Sequence, residues 1–381
     1  MGTTTTRHAT LADLAALLTE QQARKVDLVA PAARLQAVEG ALVVEGSEPV
    51  IDEDGVTLAD GVYQPTQAFI GSIAYKLGIP QGYLRRLYDD RADLYDANVN
   101  GWLHGPGGTE HDPRKFLVRL FKAESEGTPG IARAFLSDGY RIVDHLDTLT
   151  AALDGVRQAN VGVTVSGADL TESRMVVRIE APEVTAYAGD LLKGYRSPFN
   201  GQTGDQLPLV HAGLVLSNSE VGHGAFSLVP RIVFQVCSNG MTVTKDALRS
   251  VHLGGKMDEG IIRWSQDTED KNLALVTARA RDAVRTFLDL DYMVKVVARL
   301  TEQAGAPLPG DPTQTVRTVG KKLAFTEDTI NGVLSMFIQG GQTTAGGVMQ
   351  AVTAYAQTVD DGDLAYELEG SALRALELAS A

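Results

Sequence analysis

The sequence predicts an α+β fold: an antiparallel β-meander covered by a long helix, a β-β-β-α-like core, with helical N-terminal and C-terminal regions. Three observations predict it. Strand-like runs follow one another through the middle of the chain with short links, the arrangement of a meander. After Trp264, Leu273, Val276, Ala280, Val284, Phe287 and Leu288 recur at helical spacing, continuing through Val294, Val297 and Leu300. Helical patterns also precede the strands. Three regions are therefore expected: 1–112, mixed, with a helix-turn-helix-like hairpin; 113–264, the central antiparallel sheet; and 265–381, helical with an acidic tail.

The elements follow in order. Thr10 can cap a first helix reaching to about Val26, with Leu11, Leu14, Leu17 and Leu18 as its apolar stripe. Short strand-like pieces broken by Gly and Pro come next. In 66–90, Ile70, Ile73, Ala74 and Leu77 form a helical face, Gly78 is placed to end it, Ile79 turns inward and Pro80 suits the first position of a second helix. Helix, tight glycine turn, helix is the helix-turn-helix pattern, with Arg85 and Arg86 on the second helix; a scaffold hairpin has the same signature. The loop "HGPGGTEHDP" marks the first boundary. Strands are expected at 116–121, 132–144, 161–166, 173–181, 208–217 and 225–237. A helix over about 270–304 ends at "GAPLPGDP"; shorter helices follow near 313–323, from Asp328 to Ile338, after the Gly-rich loop at 340–347, and at the acidic C-terminus.

Charge and motifs narrow the function. Net charge is −14, which disfavours nonspecific nucleic-acid binding, yet residues 113–264 carry 16 basic and 16 acidic side chains and are the least acidic third. No long apolar run predicts a membrane span, the N-terminus lacks a secretory pattern, and one cysteine cannot form an internal disulfide. A cytoplasmic protein is expected. There is no GxxxxGK[ST], no GxGxxG after a strand and no GxSxG. The seven histidines are scattered; His104, His111 and Asp112 share a loop, but neither a metal nor any other cofactor is expected. Cys237 ends an apolar β run and is read as a small packing residue, and Asn239-Gly240 as a turn with positive φ. No nucleophile–base pair is visible, so no enzyme is expected.

Alternation along the strands gives the sheet one apolar face and one mixed face. Met175, Val177 and Ile179 oppose Arg174, Val176 and Arg178; Phe226, Leu228, Ile232 and Phe234 oppose Val229, Arg231 and Val233. Two loops add cations and aromatics: Lys193, Tyr195, Arg196 and Phe199 in one, and Lys245, Arg249, Lys256, Arg263 and Trp264 in the other. Phosphates pair with such cations and bases stack on exposed aromatics. Arg174, Arg178, Lys193, Tyr195, Arg196, Arg231, Lys245, Arg249, Lys256 and Arg263 are accordingly the expected nucleic-acid-binding residues, converging on one groove.

"FLSDGYRIVDHLDTL", "LVLSNSEVGHGAFSLVPRIVFQVCSNGM", "TTAGGVMQAVTAY" and "KLGIPQGYLRRL" resemble the phage/plasmid-like family, a domain of unknown function common in phages, prophages and plasmids. The resemblance covers most of 65–360, and implies a gene carried by a mobile element. At fold level, a meander followed by a long helix is similar to the core of single-strand annealing proteins. The expectation is an oligomeric single-strand DNA-binding or annealing protein serving recombination or replication. The alternatives are a helix-turn-helix regulator and an acidic self-assembling or partner-binding protein that takes no nucleic acid.

Overall fold

The computed structural model describes residues 5–52, 55–125, 127–250, 259–261 and 266–381. The chain begins with β1 (Thr6–Ala9), α1 (Leu11–Arg24) and β2 (Lys25–Pro31). Thr10 caps α1, its hydroxyl accepting the Asp13 N–H at 3.2 Å. β3 (Leu35–Val38) and β4 (Ala41–Val44) form one hairpin and β5 (Val50–Asp52) and β6 (Gly55–Thr57) another. β7 (Gly61–Pro65), α2 (Gln67–Leu77), α3 (Gln81–Asp90) and α4 (Ala92–His104) follow, then β8 (Lys115–Phe121) and β9 (Gly130–Ser137). These strands make a sheet in the order β2-β8-β9-β7-β4-β3, antiparallel except for the β7–β9 pair. Phe69, Ile70, Ile73 and Leu77 of α2 pack with Leu28, Phe116, Val118 and Phe135 in one apolar cluster on this sheet.

The boundary expected at 112 therefore cuts one sheet in two. β8 and β9 do not open the central sheet; they complete the N-terminal one, β8 pairing with β2 and β9 with β7, with both faces of each strand buried.

The second sheet follows α5 (His145–Ala159). It consists of β10 (Thr164–Leu170), β11 (Met175–Tyr187), β12 (Leu209–Asn218), β13 (Phe226–Phe234), β14 (Asn239–Thr242) and β15 (Leu248–Ser250), with the one-turn α6 (Gly189–Leu192) between β11 and β12. The order is β1-β10-β11-β12-β13-β14, antiparallel throughout, with β15 also on β13. β16 (Gly260–Ile261) returns to the first sheet and pairs with β2. Helices close the chain: α7 (Gln266–Phe287), α8 (Leu290–Ala304), α9 (Pro312–Lys322), α10 (Glu327–Gly340), α11 (Ala345–Ala356) and α12 (Gly362–Ala379).

The single long helix expected over 270–304 is two. The break falls at Leu288-Asp289, where the Asp289 carboxylate accepts the Tyr292 N–H at 3.0 Å and caps a new helix. The apolar periodicity runs through the break because both helices bury the same stripe. Val276, Ala280 and Val284 of α7 and Met293, Val297 and Leu300 of α8 join Val177, Ile179, Leu214 and Ile232 of the sheet in one core.

The opposite face of that sheet is not open. Both alternating sets of β13 are buried, because α12 lies across the mixed face. The C-terminal helix, expected to be short, has 18 residues and carries Tyr366 and Glu369 onto the strands. Cys237 is buried in the main core and its thiol donates to the Phe234 carbonyl at 3.9 Å. The turn after it differs from expectation. Ser238, not Asn239 or Gly240, takes positive φ (55°), and Asn239-Gly240 opens β14. Gly240 is needed for space: a side chain there would run into the Arg231 guanidinium.

Candidate functional site

The expected groove depends on where the strand arginines point. Arg178 and Arg231 do share the mixed face, but α12 covers them. Arg178 pairs with Asp169 and with Glu369 (3.1 Å); Arg231 pairs with Glu180 (2.8 Å) and Glu369 (3.5 Å). Arg7 of β1 adds a further pair to Asp169. Three guanidinium groups thus meet three carboxylates. Burial opposes the ionisation of Glu180, yet the hydrogen bond from His211 and the charge of Arg231 hold its pKa down at about 2. Arg174 is half-buried against Asp363 (2.9 Å) and the Tyr366 ring.

The loops do not restore a groove. Tyr195 is buried (2% exposed) against Gly340, so it offers no stacking surface. Lys193 and Arg196 are exposed, as is Phe199. Lys245 is exposed but pairs with Glu377. Arg249 lies on β15 opposite Ser227. Lys256, Arg263 and Trp264 lie outside the described residues. The described parts of the two loops also differ in place along β13: Asn200 hydrogen-bonds the Val236 carbonyl beyond its last residue, whereas Arg249 is in register with Ser227 near its first. Nine residues of strand separate the two ends of β13 by about 25 Å. The expected residues whose side chains are described therefore do not form one basic track.

A second buried network joins the two sheets. Arg119, fully buried on β8, pairs with Asp27 (2.7 Å) and Asp144 (2.6 Å) and donates to the Glu220 carbonyl (3.0 Å). A bulge in the β8–β9 pairing leaves Arg133 unmatched across the ladder, and its guanidinium pairs with the Glu220 carboxylate. Lys25 completes the set on Asp144. Burial opposes the charge on Glu220, and Arg133 and Arg119 overcome that cost, holding the carboxyl well below the usual range.

The turn between β12 and β13, Asn218-Ser219-Glu220-Val221-Gly222-His223-Gly224, is what reaches across. Asn218 donates to the Val143 carbonyl (2.9 Å) and to His145 Nδ1 (3.1 Å). Ser219 donates to the Ser173 carbonyl (2.7 Å) and accepts the His223 N–H (3.0 Å). Val221 enters an apolar cluster with Leu117, Ala134 and Leu136 of the first sheet. Gly222 has φ +84°, and a side chain there would press on Leu136.

This turn leaves His223 in a cleft between the sheets. The cleft measures about 570 Å³ and is walled by β1, the start of α2, Arg85 of α3, the β10–β11 turn and residues 360–363 before and within α12. A recess of about 290 Å³ continues on the other side of His223 toward Ser217, Ser227 and Tyr366. Most charges in the cleft are spoken for. Glu172 accepts the N–H groups of Gln67 (2.8 Å) and Ala68 (3.4 Å), and Asp361 caps α12. Arg85 is the exception: among the described residues it makes no ion pair and no side-chain hydrogen bond, whereas Arg7 and Arg174, whose Nε atoms also lack a hydrogen bond, are held by carboxylates. Burial, the nearby Arg174 and Arg85 keep the His223 pKa below the ordinary histidine value, against the pull of Asp363.

The helix-turn-helix pattern is thereby explained locally but not as a DNA reader. Gly78 has φ 71°, and Ile79 N–H bonds the Ala74 carbonyl at 2.9 Å, closing α2. Pro80 stands just before α3 rather than within it. Arg85 and Arg86 then diverge. Arg86 faces solvent beside Asp90, while Arg85 passes over Gly71 into the cleft. His104 and His111 meet with Nδ1 atoms 3.0 Å apart, and Asp112 turns to Arg114. Among the described residues no cluster of three or more His, Cys, Asp or Glu is arranged to hold a metal, and no helix is long and apolar enough to cross a membrane.

Comparison with protein-family models, curated proteins and solved structures finds no match for this chain. Function is therefore argued from the cleft. Sequence reasoning singled out Arg85 and the Asn218–Gly222 motif, but it did not connect them with each other or with His223.

Proposed function

We propose that this chain is a binding protein that captures a small polar molecule in the cleft between its two sheets. One observation carries the reading: Arg85 of α3 and His223 of the β12–β13 turn face a cleft of ligand size, and neither side chain makes an ion pair or hydrogen bond among the described residues. A role on a mobile element is part of this proposal and rests on the sequence resemblance alone, including that of the Asn218–Gly222 stretch, which no family model matches. The test is native mass spectrometry of the full chain in a mixture of polar metabolites, beside Ser173→Trp, which fills the cleft from the β10–β11 turn. A retained small molecule that the variant excludes supports the reading. Equal retention by both, or none by either, removes it.

A second reading keeps single-stranded DNA as the partner of a self-associating protein. It is favoured by the exposure of Lys193, Arg196 and Phe199 on one loop. Fluorescence anisotropy with labelled oligothymidine should then show salt-sensitive binding. Changing Lys193 and Arg196 together to alanine should flatten the salt slope by about 1.4, two contacts at roughly 0.7 each. An unchanged slope, or no binding at low salt, removes this reading.

A further inference from the structure

We infer that the group bound in the cleft is a phosphate monoester, anchored by Arg85 and His223; this rests on the cleft being a ligand site. The argument begins by subtracting the charges that the protein itself uses. Arg7 gives its terminal nitrogens to Asp169 and to the Val359 carbonyl. Arg174 is held by Asp363, while Glu172 and Asp361 cap helices. What remains is a guanidinium whose Nε is dry and unbonded, beside an imidazole. Arg85 is half-buried, but its Nε is out of reach of solvent and unbonded, and an anion in the cleft would give that nitrogen an acceptor.

The neighbouring groups select among anions. Thr6 and Ser173 line the same cleft, and neither side-chain hydroxyl makes a hydrogen bond among the described residues. Guanidinium, imidazole and two hydroxyls come from four separate elements. They approach from several directions, which suits the three terminal oxygens of a phosphate better than the flat pair of a carboxylate. The fork of Arg85 can take two of those oxygens. Arg85 passes over Gly71, where a side chain would displace the end of Gln81 and lie in ordinary contact with the guanidinium.

The rim limits the charge of the ligand. Asp360 and Asp361 are exposed at the edge of the cleft, with Asp363 close behind. A diphosphate, a triphosphate or a polynucleotide strand would bring its extra charges toward them, and like charges repel. A single phosphate held deep on Arg85 avoids that cost. The volume of about 570 Å³ then accommodates a sugar- or nucleoside-sized body as well.

Isothermal titration of the full chain tests this with inorganic phosphate, pyrophosphate and malonate as probes. Phosphate should bind more tightly than either of the others. Arg85→Gln should weaken phosphate binding on the order of tenfold or more, the value of a charge-assisted hydrogen bond, and His223→Asn by a smaller factor. His223→Asn also serves as the reporter if Arg85→Gln fails to fold. Phosphate binding unmoved by the variants overturns the inference, and so does the absence of any phosphate binding. Malonate or pyrophosphate binding as tightly as phosphate overturns the assignment to a monoester. Each of these failures leaves the cleft itself to be judged by the metabolite retention of Ser173→Trp.

Discussion

Replacing Glu220 with alanine is expected to lower the unfolding free energy by about 3–5 kcal/mol, the cost of removing one partner from a buried ion pair. Glu220 reaches from the second sheet into the first, and its carboxylate is the acceptor for both Arg133 and the His145 N–H. Arg119 keeps Asp27 and Asp144 after the change, but Arg133 has no other carboxylate among the described residues. The penalty is therefore that of a stranded guanidinium in a nearly dry site, 10% exposed. It follows that adding Arg133→Met to the variant should recover part of the loss. Glu367→Ala is the control: that carboxylate is 64% exposed, 3.9 Å from Arg174, and its removal should change stability by less than about 0.5 kcal/mol. Urea denaturation of the three variants checks the order. A Glu220→Ala loss no larger than that of the control would show that the network does not couple the sheets.

The same residue shows what the sequence discloses. Local patterns were legible. The alternation of β11 and β13 sorted apolar from mixed side chains correctly, because a strand's period of two is written in consecutive residues. Gly78 and the apolar face before it marked a helix end for the same reason. The partners of the arginines were not legible. Arg119 meets Asp27 from 92 residues away, and Arg178 meets Glu369 from 191 away. Nothing in a strand's own pattern says whether its polar face meets water or a distant helix. A row of arginines on a sheet reads as a nucleic-acid surface until the carboxylates that neutralise it are brought up by the fold. One signal was available: the middle third has as many acidic as basic residues, so internal neutralisation was as consistent with the composition as an anionic partner.

The candidate site was hidden differently. Arg85, Ser173, His223 and Asp360 belong to four elements, and none of them lies in a motif whose spacing specifies chemistry. What brings the first three together is the β12–β13 turn. Its Ser219 fixes both the Ser173 backbone and the His223 N–H, while its Glu220 locks the turn onto the first sheet. The interior ion pairs therefore bear on function by setting the geometry of the cleft, although none of their charges faces the proposed ligand. A Glu220→Ala protein that still folds should accordingly lose phosphate affinity together with stability.

Acid should destabilise this protein well before its carboxylates protonate, and His145 should be the reason. The imidazole is 3% exposed, at the first residue of α5. Burial, with Arg133 and Arg119 nearby, pushes its pKa from 6.5 down to about 4, despite the opposing charges of Glu220 and Asp144. It is therefore neutral in the folded protein at pH 7, and Nδ1 accepts from Asn218. The folded value lies below the unfolded one, so between pH 6.5 and 4 the unfolded chain binds more protons and gains free energy. The stabilisation is fully present above pH 6.5, declines as pH falls through that window and is gone below pH 4. A shift of that size is worth about 3 kcal/mol in all, of which about 2 kcal/mol should be lost by pH 5. Asp144, Asp169 and Glu220, whose pKa values are depressed, add their own losses only at lower pH, as the unfolded carboxylates begin to protonate. The measurement is the difference in urea-unfolding free energy between pH 7 and pH 5 for the native chain and for His145→Gln, which cannot titrate. The variant should be less stable at pH 7 and decline less across the interval, the remaining decline coming from His8, His104 and His223, whose pKa values are also lowered. Parallel declines in the two proteins would mean that other groups carry the acid sensitivity and that the His145 pocket is open to protons.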